Sequence, residues 1–467
     1  MLFSSLLFIF LFLPLLLLIY FAIPKKHIFA KNITLLLFSL IFYSWGEPVY
    51  VFLMIYSAFF NYFMANLIGQ ARAKGLSGKR DFIFTVAVNL MILSFFKYFG
   101  FLMDNINNLF GSNIGYTALA LPIGISFYTF QALSYVIDIY RGKVKPQKSF
   151  LNFALYLALF PQLIAGPIVN YKDIETQLSQ RETSLQQFGY GCQKFLYGLS
   201  KKVILANNLG ALHQSVISLT GDEASVFSLW IGIIAYTLQL YFDFSGYSDM
   251  AIGLGRMFGF KFLENFNYPY LSKSVTEFWR RWHISLSSWF REYLYIPLGG
   301  NRVTVTRHII NLLIVWSLTG LWHGASWNFI IWGLYYGVIL VLEKYVYGKY
   351  LENIKDVMKH IYTLLIVIIG WVFFSSSDLG AAAAYLKNMF ALGSLDFFNI
   401  KTAYLLKTNV ILLVIGWLVA LRKPLESYEK LSMKYPVLGV IFTFGIFIIS
   451  ISYLVFNSYN PFLYFRF

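Results

Sequence analysis

The chain has 467 residues, 58% of them hydrophobic, 20% aromatic and only 12% charged, with a mean hydropathy of +0.63. Soluble globular proteins carry charge on about a quarter of their residues, so this composition excludes a soluble enzyme, a secreted disulfide scaffold and a disordered chain. Lys and Arg number 37 against 21 acidic residues, a net charge of +16; these cations sit in short loops between apolar runs, where they mark the cytoplasmic side of a membrane and not a nucleic-acid partner.

A membrane-crossing helix needs about 20 mostly apolar residues. The first such run extends from Leu2 to about Ile23 and is read as a retained span, since it has neither a basic leader nor a small-residue cleavage site. A basic loop from Pro24 to Lys31 follows, then an apolar run to Trp45, a turn at Gly46-Glu47-Pro48 and a run from Val49 to Ile68. The loop with Arg72, Lys74, Lys79 and Arg80 precedes Phe82 to Tyr98; Asp104 to Tyr116 carries no Lys or Arg, and Thr117 to Tyr140 returns to Arg141, Lys143, Lys145 and Lys148. Three basic loops thus fall on one side, with the N-terminus outside.

At Phe160-Pro161-Gln162-Leu163-Ile164-Ala165-Gly166-Pro167 two prolines and a glycine enter an apolar stretch, which predicts a broken or re-entrant element buried in protein. Further apolar runs lie near Phe188–Asn207, Val226–Phe244, Ile309–Trp322, Trp327–Leu342, Ile361–Phe374, Val410–Leu421 and Val437–Phe456. The expected fold is an all-α polytopic membrane protein, one domain over residues 1–467, with roughly eleven spans plus shorter re-entrant and interfacial helices. Residues 256–307 form a different kind of segment, apolar and basic at once. Within it, Ser274 to Ile296 reads as one interfacial helix: Trp279, Trp282, His283, Leu286, Phe290, Tyr293 and Leu294 recur at helical spacing, and Pro297, Gly299 and Gly300 end it. Glu277 and Arg281 stand at i,i+4 spacing, as a surface pair would.

His283 falls on the apolar face of that helix, where an ionisable group needs either a hydrogen-bond partner or a chemical role. His323 sits between two apolar runs, in Thr319-Gly320-Leu321-Trp322-His323-Gly324-Ala325-Ser326-Trp327. The small residues there let a neighbouring backbone or a substrate come close, and a neutral imidazole in a dry site can take a proton from a hydroxyl; the alternative is a histidine that merely joins two helices. His27, His213, His308 and His360 read as interfacial. With one cysteine, Cys192, and no HExxH pattern, no metal site is expected. Asp243 and Asp249, in Tyr241 to Asp249, close a span; they are read as helix caps or partners of arginines, or else as the acids of a proton-coupled transporter.

Six stretches together carry a resemblance: Leu121 to Gln131, Phe160 to Ile168, Tyr241 to Asp249, Glu277-Phe-Trp-Arg-Arg-Trp-His-Ile-Ser-Leu-Ser287, Tyr293 to Gly300 and Leu318-Thr-Gly-Leu-Trp-His-Gly324. They are similar to the membrane-bound O-acyltransferase family, and within it to the bacterial branch of alginate and peptidoglycan O-acetyltransferases; the C-terminal Phe462-Leu-Tyr-Phe-Arg-Phe467 fits the same branch. The resemblance implies a ring of membrane helices around a thinned centre, with a cytoplasmic funnel for an acetyl-CoA donor and an extracytoplasmic opening for the acceptor. It assigns the family's essential histidine to His323 and its second motif residue to His283. On this reading the protein is a multi-pass protein of the bacterial inner membrane, and a cell-envelope polysaccharide is the final acceptor. A periplasmic SGNH-type transferase is an expected partner, and Tyr464 in the tail is placed to help hand over the acyl group or else to anchor at the interface. Arg280, Arg281 and Arg291 could attract the donor's phosphates, although positive-inside topology explains them equally well. A transporter and a non-catalytic scaffold for an envelope enzyme remain the rival classes.

Overall fold

The computed structural model describes residues 1–117, 119–164, 166–456, 460, 461 and 463, the side chain of residue 429 excepted. It is all-helical, with no strand among the described residues. In chain order the α-helices are α1 (Leu13–Ala22), α2 (Ile28–Ser44), α3 (Tyr50–Ala73), α4 (Lys79–Phe110), α5 (Ile125–Tyr140), α6 (Phe150–Ala158), α7 (Phe160–Leu163), α8 (Tyr171–Ser179), α9 (Leu185–Ser200), α10 (Asn207–Ile217) and α11 (Val226–Met257). They continue with α12 (Val275–Arg281), α13 (Ile284–Phe290), α14 (Val305–His323), α15 (Trp327–Leu342), α16 (Gly348–Asn353), α17 (Asp356–Ser375), α18 (Leu379–Met389), α19 (Ile400–Ala420), α20 (Arg422–Lys434) and α21 (Pro436–Phe456).

Among the described residues, seven helices are long and apolar enough to cross a membrane: α3, α4, α11, α15 with its continuation to Asn353, α17, α19 and α21. Phe8–Ala22 and Ile28–Ser44 are shorter apolar helices. The protein is thus a multi-pass membrane protein. Its chain forms two compact units, residues 1–195 with 248–263, and residues 196–247 with 264–467.

In the first unit, α4 runs on to Phe110, past the point at Tyr98 where the sequence predicts its end. Within it Asn105 donates from Nδ2 to the Phe101 carbonyl at 2.6 Å, and Gly111, at φ 60°, stops the helix. The next helix begins only at Ile125, not at Thr117, because Pro122 and a left-handed Gly124 precede it. The broken element forms where expected: α6 ends at Ala158, Leu159 turns the chain at φ −56° and ψ 110°, and the four-residue α7 follows. Its freed backbone is satisfied internally, as Ser39 Oγ accepts from the Phe160 N–H at 3.1 Å and Gln162 Nε2 donates to the Tyr156 carbonyl at 2.5 Å. A cluster of Phe3, Phe8, Phe12, Phe42 and Phe160 packs around this break, with Phe42 and Phe160 ring centroids 5.4 Å apart.

The 32 residues of α11 continue straight through the Tyr241–Asp249 motif, beyond the predicted end at Phe244. Asp243 and Asp249 therefore lie inside α11 and not at its end. Of its most apolar window, 83% is buried inside the protein, against 11% for α21, so α11 is a core element and α21 a lipid-facing one. The core of the second unit is aromatic: Trp279, Trp332, Tyr336 and Trp371 pack together, with Trp279 and Tyr336 centroids 4.8 Å apart and nearly perpendicular.

Candidate active site

His323 ends α14, and the hairpin of α14 with α15 places it. A Cβ on Gly320 would stand 2.2 Å from the Phe329 carbonyl oxygen, and one on Gly333 would stand 2.2 Å from that of Trp316. Both positions must be glycine for the two backbones to approach this closely. Gly324 gives way in the same manner to the Phe329 ring, so these small residues admit a neighbouring helix. The chain then extends through Gly324 and Ser326, and α15 begins at Trp327. Asn328 ties that start to the end of α17 by donating to the Phe373 and Ser376 carbonyls at 3.3 and 2.9 Å. His323 itself is 4% exposed. Its ring meets Trp322 and Trp332 at 5.0 Å and Phe374 at 5.3 Å, all close to edge-on, an apolar setting that strengthens any hydrogen bond the imidazole makes.

His283 is positioned by a break. The sequence predicts one helix from Ser274 to Ile296, but α12 stops at Arg281, Trp282 is extended, and His283 adopts φ 45° and ψ 55° in the left-handed region. A non-glycine residue there is unfavourable by about 1–2 kcal/mol, and it persists because buried Asn265 holds the turn. Its carbonyl accepts from the Ile284 N–H at 2.9 Å, and its side-chain Oδ1 accepts from the Ser285 N–H at 3.1 Å and hydroxyl at 2.9 Å. Two amides that would otherwise continue one helix are thereby turned to a distant partner. At the other end of α12, Ser274 Oγ accepts from the Glu277 N–H at 3.0 Å. The buried Glu343 carboxylate accepts from the Val275 and Thr276 amides, the Thr276 hydroxyl and Tyr362 Oη at 2.7 to 3.0 Å. His283 is 1% exposed, with the Phe244 ring edge-on at 4.6 Å; burial pushes its imidazole down to about 3, so it is neutral at pH 7.

One cavity of about 720 Å³ is lined by both histidines, together with Trp279, Trp282, Trp316 and Thr319. It follows α14 back to His308, 15 residues and about 22 Å from His323 at 1.5 Å per residue. That end holds Tyr295, Arg291 and Lys344, and Arg280 also faces the cavity; the three cations are exposed. Lys273 and Lys359 also line it and share Asp356 at 2.6 and 3.4 Å. Arg281 lies outside this lining: it forms the expected pair with Glu277 at 2.7 Å and donates to the Asn267 carbonyl at 3.2 Å. His308, read from the sequence as interfacial, is 2% exposed and held between Tyr345 Oη at 2.6 Å and Tyr295 Oη at 2.7 Å. Neither His308 nor Asn265 stands out in the sequence, because the partners that give them meaning lie 13 to 37 residues away.

Among the described residues, the two acids of the Tyr241–Asp249 motif pair with lysines. Asp243 meets Lys202 at 2.6 Å with side chains 1% and 3% exposed, and in the first unit Asp249 meets Lys194 at 3.1 Å. The Asp243 carboxylate also accepts from the Leu463 N–H at 2.9 Å, and Lys202 donates to the Pro461 carbonyl. Tyr464 lies outside the described residues. Among the described residues, no group of three or more His, Cys, Asp or Glu gathers as a metal site.

The sequence model of the membrane-bound O-acyltransferase family matches residues 144–377, a stretch that includes both histidines and the cavity lining. "Probable alginate O-acetylase AlgI" from Pseudomonas aeruginosa is 43% identical over 427 residues, which cover 90% of this chain and 80% of that protein. A peptidoglycan O-acetyltransferase from Helicobacter pylori is 36% identical over 434 residues, 86% of this chain and 82% of the relative. A teichoic acid D-alanyltransferase from Bacillus subtilis is 27% identical over 260 residues, 53% of this chain and 65% of the relative.

Proposed function

The chain belongs to the membrane-bound O-acyltransferase family, and from that membership we propose that it takes an acetyl group from cytoplasmic acetyl-CoA and passes it across the bacterial inner membrane for O-acetylation of a cell-envelope polysaccharide. The acceptor class draws on the relatives, which are named for alginate and peptidoglycan O-acetylation. The observation that carries the reading is a single cavity lined by the buried imidazoles of His283 and His323 at one end and His308 at the other, with exposed Arg280, Arg291 and Lys344 on its wall.

In this mechanism the basic end of the cavity draws in the phosphates of the donor, and the tryptophan-lined part keeps water from the thioester. His323 takes the proton of the incoming hydroxyl as its oxygen attacks the thioester carbonyl. The carbon–sulfur bond breaks, and the leaving thiolate recovers that proton from the imidazolium. His283 orients donor or acceptor in the same space, and holding both together makes the reaction local. The receiving hydroxyl belongs to the polysaccharide or to a periplasmic SGNH-type transferase that completes delivery, with Tyr464 assisting at the tail.

Purified protein in nanodiscs should turn over radiolabelled acetyl-CoA, and His323→Ala should lower that turnover by about a hundred- to ten-thousand-fold while melting like the parent. Retained turnover would remove His323 from the chemistry. Proton-driven solute uptake by the parent protein would favour a transporter instead, and envelope acetylation that survives loss of both histidines would favour a scaffold.

A further inference from the structure

We propose that Asn265 is a positioning residue that fixes the tautomer of His283, placing the proton on Nδ1 and the lone pair on Nε2. Its meaning for acyl transfer rests on the reading above, whereas the tautomer can be measured without it.

The deduction starts from the atom of Asn265 that faces Ser285. A backbone N–H can only donate, so the side-chain atom 3.1 Å from the Ser285 nitrogen is the carboxamide oxygen and not its nitrogen. The Ser285 hydroxyl donates to the same oxygen at 2.9 Å. That oxygen also lies 3.3 Å from Nδ1 of His283. An amide oxygen has only lone pairs to offer, so Nδ1 must bring the hydrogen. A neutral imidazole has one ring proton, and Nε2 is therefore the basic nitrogen. Neutrality follows from the ring's surroundings, since it is 1% exposed and packed edge-on against Phe244 with Trp322 at 6.1 Å.

The main chain of Asn265 adds a second constraint. Its carbonyl holds the Ile284 amide at 2.9 Å, while its side chain holds the Ser285 amide. One fully buried residue thus pins the backbone just after the left-handed His283 and orients the ring as well. The same three groups cannot be satisfied by a side chain without an acceptor at that place. Asp retains the acceptor, and Leu removes it while filling a similar volume.

The direct test is nuclear magnetic resonance of the full-length protein in nanodiscs, with histidine rings labelled by nitrogen-15. The His283 signals are identified as those missing from His283→Gln. Protonated Nδ1 with unprotonated Nε2 is expected in the parent and in Asn265→Asp, and a changed or mixed tautomer is expected in Asn265→Leu. Protonated Nε2 in the parent, or an unchanged tautomer in Asn265→Leu, would overturn the assignment. With acetyl-CoA as donor, Asn265→Leu should lower kcat at least about tenfold with KM nearly unchanged, and Asn265→Asp should restore most of the rate; equal losses in the two variants would contradict a positioning role. Should Asn265→Leu not fold, Ser285→Ala keeps the backbone donor and must keep the parent's tautomer. A parent protein that never turns over acetyl-CoA would defeat the acyltransferase reading and still give the tautomer.

Discussion

Two histidines of the cavity, His283 and His323, are held in opposite ways. His323 ends a regular helix whose place is set by backbone contact, glycine against carbonyl at Gly320 and Gly333. His283 occupies an irregular turn whose place is set by hydrogen bonds accepted by Asn265, eighteen residues upstream. Close packing tolerates no added volume, whereas a stitched turn tolerates volume but not the loss of an acceptor. The same cavity therefore has one wall sensitive to size and another sensitive to polarity.

The largest expected effect lies on α11, which backs the stitched wall through Phe244. Asp243→Asn leaves the Lys202 ammonium buried without its carboxylate and should destabilise the protein by about 3–5 kcal/mol, read as a fall in thermal midpoint in detergent. Replacing the pair together, Lys202→Met with Asp243→Leu, should recover most of that loss. On the packed wall, Gly333→Ala places a methyl 2.2 Å from the Trp316 carbonyl and should cost about 1–3 kcal/mol. Gly445→Ala in lipid-facing α21 meets nothing within 4 Å and should not lower the midpoint, since alanine is the better helix former, so equal losses at the two glycines would erase the contrast. On the stitched wall, His283→Gly and His283→Ala both lose a buried ring, but glycine relieves the left-handed backbone, so His283→Gly should be the more stable of the two by about 1 kcal/mol while acetyl transfer falls in both.

The last contrast is a pH dependence. The folded His283 titrates at about 3 against an ordinary value of 6.5, so between those values the unfolded chain binds a proton that the folded one does not. Stability should then fall as pH drops below 6.5, and His283→Gln should flatten that slope. An identical slope in the variant would assign the loss to other groups.

The parts of the fold that local chemistry sets were legible in the sequence. Pro161 and Gly166 announced the break after α6, and Gly320 and Gly324 marked the close turn beside His323. Other features depend on partners far along the chain. Helical spacing from Trp279 to Leu294 continues across the gap at His283, so periodicity reads two helices as one; the cause of the gap is an amide on another segment. The asparagine-rich end of α4 looks like a loop by composition but is helical, with Asn105 returning a hydrogen bond to the preceding turn. In the sequence His308 is an ordinary neighbour of Arg307; the fold brings Tyr295 and Tyr345 to its two ring nitrogens. Arg281 fits a phosphate-binding role by sequence equally well, yet its guanidinium turns to Glu277 and away from the cavity lining that holds Arg280 and Arg291.

The central claim is that His283 and His323 act as one unit in one cavity, and a double-mutant cycle on acetyl-CoA turnover tests it most directly. If each imidazole serves the same transition state, removing both should cost little more than removing His323 alone. Losses that multiply, with the double variant slowed by the product of the single effects, would mean that the two rings work independently and would contradict the account.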